Sequence, residues 1–269
     1  MKASKMLQPM AIAVMVIGLV LVGCDNGTTS GTGGGDLGGV ISQPPSSPTG
    51  APAGVSVDAQ GNLIINAQLY DINTTTTSVV PFPNTMNADV SAYASTASGD
   101  YPLTTVTNGI TGGKLTSVII PPPPAAALTS VVDDLGDMPA SWVKSGGANH
   151  IGSISLEYLE YLDSSTSSTI GFDLYANPVI TTDGYGNYNP QGDSYMYMYS
   201  DGDVVISGSG QFDDGSGGKY SMAADIKLAK GWNCVLMTAD ATGGGKIISR
   251  NPPANAQWVI DHKSGTVTN

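Results

Sequence analysis

The chain has 269 residues, with 10 basic and 22 acidic side chains and a formal charge of −12, yet only 12% of it is charged. That balance excludes partners that need a basic surface, nucleic acid and anionic lipid headgroups among them, because both depend on clustered Lys or Arg. Gly and Tyr are plentiful (35 and 12), Phe and His are scarce (3 and 2), and such a composition suits β-proteins whose exposed strand faces carry Thr, Ser and Tyr in place of Lys and Glu.

The N-terminus begins with a short basic region, Lys2 and Lys5, followed by an uncharged apolar run over residues 10–22. Thirteen residues are too few to span a bilayer, which takes about 20, and the length and flanks fit an export signal. The four residues Leu21-Val22-Gly23-Cys24 resemble the lipobox of bacterial lipoproteins. The resemblance implies that the Cys24 thiol receives a diacylglycerol and that the signal, residues 1–23, is cut just before it. Cys24 then becomes the first residue of the mature chain, which is anchored to a membrane by two or three acyl chains. Loss of Lys2 and Lys5 leaves eight bases against 22 acids, a formal −14.

Residues 24–54 combine this cysteine with a Gly/Ser/Thr stretch and then a Pro-rich one. Such a segment cannot bury apolar surface and is expected to be a disordered tether with a reach of about 30 Å. Acylation of Cys24 also leaves Cys234 without a partner, so no intrachain disulfide is expected. Cys234 sits in an apolar, strand-like run and is read as a buried, inert thiol.

Residues 55–136 read as a first β module plus a short helix. Strand patterns cover 63–70, after a turn at Asp58 to Asn62, then 89–94, and 114–120 after Gly112-Gly113. After four prolines, Leu128, Val131, Val132 and Leu135 stand at i, i+3, i+4 and i+7, predicting a helix over 125–135. Residues 137–149 read as a linker. Residues 150–269 read as a second β module, with strands at 151–162, 170–175, 194–199, 204–207, 220–228, 232–238 and 257–260. Asp201-Gly202 between two β-prone runs predicts that 194–199 and 204–207 form a hairpin. The fold class that results is mainly β: two antiparallel sandwich modules, immunoglobulin-like or transthyretin-like, with one short helix between them.

Cys24-Asp25-Asn26-Gly27, the run Leu228-Ala229-Lys230-Gly231-Trp232-Asn233 and Gln257-Trp258-Val259 are together similar to spirochaete surface lipoproteins. The likeness covers the ends of the chain better than its middle. It implies a β-sandwich lipoprotein of the cell envelope, at the outer membrane or cell surface ahead of the inner membrane, and it brings no activity with it.

Motifs for chemistry are sparse. His150, His262 and Cys234 lie far apart with no zinc-ligand spacing. Gly-x-Ser-x-Gly is missing, and the glycines before Lys219 and Lys246 lack the phosphate-loop pattern. Glu157 and Glu160, three apart on a predicted strand, should face opposite sides. No catalytic residue and no cofactor are therefore assigned, although a glycan hydrolase using a distant Asp/Glu pair stays open as an alternative, as does a purely structural role. Two features point to binding. Tyr195, Tyr197 and Tyr199 alternate with methionines, so one strand face can present three rings to a glycan or protein ligand. Asp201, Asp203, Asp213 and Asp214, in turns read as neighbouring, are candidate calcium ligands. The function expected is that of a membrane-anchored binding or scaffolding component.

Overall fold

The computed structural model describes residues 54–96, 99–130, 143–148, 150–161, 167–182, 188–213, 219–239 and 244–268. The first half of the chain forms β1 (Val55–Val57), β2 (Leu63–Asn73), β3 (Ser78–Pro81), β4 (Asn87–Thr96), β5 (Gly99–Thr111), β6 (Lys114–Ile120), β7 (Thr129–Ser130) and β8 (Val143–Gly146). The second half adds β9 (His150–Tyr161), β10 (Ser167–Thr182), β11 (Tyr188–Ser200), β12 (Val204–Asp213), β13 (Lys219–Leu228), β14 (Gly231–Ala239), β15 (Gly245–Ser249) and β16 (Ala256–Thr268).

These strands do not separate into two sandwiches. Eight of them, in the order β9-β4-β5-β6-β2-β16-β10-β11, close into a barrel when β11 returns to β9 through Met198 opposite Ser153. The correction has a simple physical source. Period-two patterning specifies a strand and its faces but not its partner. Here β9 pairs along β4 (Ser91 opposite Glu157), and β16 slots between β2 and β10, parallel to the former through Trp258 opposite Leu69. Strands from before and after residues 137–149 thus share one wall.

An eight-stranded barrel is just wide enough for side chains to fill it, and the alternating positions do so. Leu63, Ile65 and Leu69 of β2 meet Val90 and Ala92 of β4, Leu115 and Val118 of β6, Phe172 and Leu174 of β10, and Trp258 and Ile260 of β16 in one buried cluster. Outward positions of β4, β5 and β9 carry polar groups: Ser91 and Thr105, whose hydroxyls lie 3.0 Å apart, with Tyr93 and Glu157 beside them. The β5–β6 turn needs its glycine. Gly113 has φ of +73°, and a Cβ there would stand 2.5 Å from the Phe82 carbonyl oxygen.

A second sheet continues from the barrel in the order β11-β14-β15-β13-β12-β8. Val235 and Met237 of β14 and Met198 of β11 pack with Ile206, Ile226 and Ile247 in a second core. Strands β11 and β14 therefore have both faces buried, one toward each core. Trp232 of β14 also donates its indole N–H to the Gly61 carbonyl at 2.9 Å, tying the second sheet to the turn that opens β2.

Two local expectations are overturned as well. Among the described residues there is no α-helix: residues 125–127 make a 3-10 turn, Leu128 is already extended, and Thr129 and Ser130 pair with Ile151 and His150 of β9. A helix of eleven residues is marginal alone, and the β9 ladder takes the backbone groups it would have used; residues 131–135 lie outside the described residues. Nor do β11 and β12 form the expected hairpin. The Asp201-Gly202 turn carries the chain from one layer to the other, and β12 pairs with β13 and β8.

Barrel filling predicts a sharp contrast between two isoleucines. Ile65→Ala, at a fully buried position, should cost about 2–5 kcal/mol in urea unfolding. Ile119→Ala, 44% exposed on the neighbouring strand, should change stability by only about 0.5 kcal/mol.

Candidate functional site

Strand β9 changes partner along its length, and the change opens the wall. It pairs with β11 through 151–153 and with β10 through 157–161. Between them Ile154, Ser155 and Leu156 are paired only to β4. Facing this gap, Phe172 and Asp173 of β10 are paired only to β16, and Met196 and Tyr197 of β11 only to β14. The result is a slot of about 30 Å³. Its outer mouth carries Ser155, Asp173 and Met196. Its floor is aromatic: Tyr197 stacks on Trp258 at 6.3 Å and 16°, and Phe172 meets the same indole edge-on at 6.2 Å.

Strand alternation explains this two-sided lining. Phe172 and Leu174 face the barrel core, so Asp173 between them must face out; Leu156 faces in, so Ser155 faces out. An aspartate between two apolar residues on a strand is the one local signal that pointed to this place. Nothing local predicted that three strands part there.

The tyrosine row is regular, but most of it faces the core. Tyr195 and Tyr197 are 5% and 7% exposed inside the barrel, and Tyr199 packs edge-on against Trp232 at 5.2 Å. Two of the three rings thus pack as core, although Tyr197 also floors the slot. Below it, the Tyr197 hydroxyl donates toward the Cys234 sulfur, and burial pushes that thiol up to about 12. Cys234 is a free cysteine and is buried, as its apolar strand predicts.

The four aspartates do not converge. Asp201 and Asp203 lie at the start of β12, whereas Asp213 ends that strand, about 30 Å away at the rise of an extended chain; Asp214 is outside the described residues. The first two carboxylates serve the turn itself. Asp201 Oδ2 lies 2.9 Å from His150 Nδ1, and Asp203 Oδ1 accepts the Lys230 N–H at 3.0 Å. Among the described residues no group of three or more His, Cys, Asp or Glu is placed to hold a metal. Cys24, with the signal and most of the tether, lies outside the described residues.

One carboxylate is electrostatically distinct. Glu157, half-buried on the outer wall next to Ser91, has its carboxyl held above the usual range by desolvation, with the Asp100 charge adding to it. The side chain of Glu160 lies outside the described residues.

Comparison with known proteins returns nothing: no family model matches the chain, and no curated protein or solved structure aligns with it significantly.

Two measurements check these environments. A carboxyl raised in the fold contributes stability below its unfolded pKa and loses it as pH rises through the folded value. Glu157→Gln should therefore raise Tm at pH 7, and the gain should shrink to nothing as pH falls below about 4.5, the ordinary value for this group. For Cys234, a Cys24→Ala chain leaves one thiol. At pH 8 it should react with a disulfide reagent far more slowly folded than unfolded, with roughly a thousandfold less thiolate.

Proposed function

We propose that the chain is an extracytoplasmic lipoprotein of the bacterial cell envelope, acylated at Cys24, whose barrel acts as a binding or scaffolding component at the end of its tether. The observation that carries this reading is the polarity of the barrel. Membrane-spanning barrels present an apolar band outward and a polar lumen. Here the order is reversed, with Ile65, Leu69, Phe172 and Trp258 inside and Ser91, Tyr93, Thr105 and Glu157 on the outer wall. A barrel of this polarity works in water, so contact with a membrane falls to the acylated cysteine, and 30 Å of linker suits that division of labour.

Because side chains fill the interior, the outer wall and its slot are the surfaces that such a role would use. The hydrolase alternative rests on Asp100 and Glu157, the two wall acids in electrostatic contact; release of reducing ends from an envelope glycan, lost in Glu157→Gln, would favour it.

Anchoring is tested at Cys24. Cys24→Ala should abolish labelling by a fatty-acid analogue and move the protein from the membrane fraction to the soluble one. A variant that still sediments with membranes would overturn the anchor.

A further inference from the structure

Near its end β5 bulges out of the wall. Ala88 stands opposite Ile110 and Val90 opposite Val106, so residues 107–109 have no registered partner on β4, and β6 pairs only with Ile110 and Thr111. The bulge makes two demands on the sequence. Asn108 has φ of +53°, a left-handed conformation that Asn adopts more readily than most residues. At position 109 a Cβ would stand 2.8 Å from Val90 Cβ, so the close approach calls for glycine. Asn-Gly meets both demands. It is also the pair in which an asparagine side chain is most open to attack by the next backbone nitrogen, because glycine has no side chain to obstruct the approach.

Asn108 is held by its main chain alone. Its N–H donates to Asp89 Oδ1 at 2.9 Å, and its carbonyl accepts the Thr111 hydroxyl at 2.8 Å. Among the described residues its exposed side-chain amide has no hydrogen-bond partner. Other asparagines differ on both counts. Asn66 Oδ1 accepts the Ser117 N–H, Asn87 Oδ1 accepts the Gly112 N–H, and the Asn233 amide spans its own turn. None of these three precedes a glycine.

We propose that Asn108-Gly109 is a site of spontaneous covalent modification, where the barrel wall acquires an aspartyl or isoaspartyl residue as the protein ages. Asparagine is among the thermolabile residues, and the bulge leaves this one open to the reaction. The Gly109 nitrogen gives up its proton and attacks Asn108 Cγ, and the new N–C bond closes a cyclic imide. The Cγ–Nδ2 bond breaks, and the departing nitrogen takes up a proton to leave as ammonia. Water then opens the ring at either carbonyl, giving aspartate or isoaspartate with no change of oxidation state. Either product sets a new carboxylate beside Asp89, and like charges facing each other across a strand pair are unfavourable. The isoaspartyl product also routes the main chain through the side-chain carbons, which moves Gly109 out of its fit against Val90.

The test is incubation of the folded full chain at pH 8, followed by peptide mass spectrometry and enzymatic methylation of isoaspartyl carboxylates. The chain carries its own reference, since Asn26-Gly27 is its other Asn-Gly pair. Conversion at Asn108 should keep pace with conversion at Asn26 and outrun that at Asn66, Asn87 and Asn233. Asn108→Gly, which suits the left-handed backbone, should leave Tm near that of the unaged parent and abolish methylation of the peptide that spans position 108. An Asn108 still intact when Asn26 has turned over, or equal conversion at the three hydrogen-bonded asparagines, would overturn the site.

Discussion

The structure depends on one long-range pairing, the insertion of β16 between β2 and β10. Through Trp258 opposite Leu69 and Leu174 opposite Trp258, the end of the chain seals a sheet whose other edge was laid down some 190 residues earlier. Closure removes the exposed edges that an open sheet would present. It also places Trp258 at the centre of the aromatic cluster that floors the slot. Without β16, the apolar faces of β2 and β10 would lose their common interior, and the slot would have no floor.

A second constraint follows from sharing. Strands β11 and β14 separate two cores, so each has no solvent face along its middle. That arrangement turns Tyr195 and Tyr197 inward and buries Cys234 beside them. Methionines 196 and 198, which read as fillers between tyrosines, become the lining of the second core and of the slot mouth. The unsettled point in the wall is β9, which cannot keep both β10 and β11 as partners over its whole length. The opening is the geometric cost of that change.

The strands themselves were legible. The pattern over 114–120 matches β6 residue for residue, and 63–70, 89–94, 220–228 and 232–238 each fall inside an observed strand. The turns at Asp58 and at Gly112-Gly113 were legible for the same reason, being local chemistry: Asp58 Oδ1 accepts the N–H groups of Gln60 and Asn62, and Gly113 takes a positive φ. Strand β5 was missed because Pro102 and a bulged register break its alternation. The predicted helix failed because its i, i+4 spacing competed with a β9 edge that no local pattern reveals. The slot was illegible, since β9, β10 and β11, although consecutive in the chain, part only where β9 changes partner, and the indole beneath them comes from β16.

What the sequence determined alone was whatever depends on neighbours in the chain: the acidic balance, the lipobox-like run ending in Cys24, the strand segments, and the alternation that sends Asp173 to one face and Phe172 to the other. What only the tertiary structure decided was pairing. Pairing made one barrel out of two expected sandwiches, turned a tyrosine row into core, and set Asp201 and Asp213 at opposite ends of a strand. The physical reason is that side-chain period fixes a residue's face within a few bonds, whereas hydrogen-bonding partners in a sheet are chosen by burial across the whole chain.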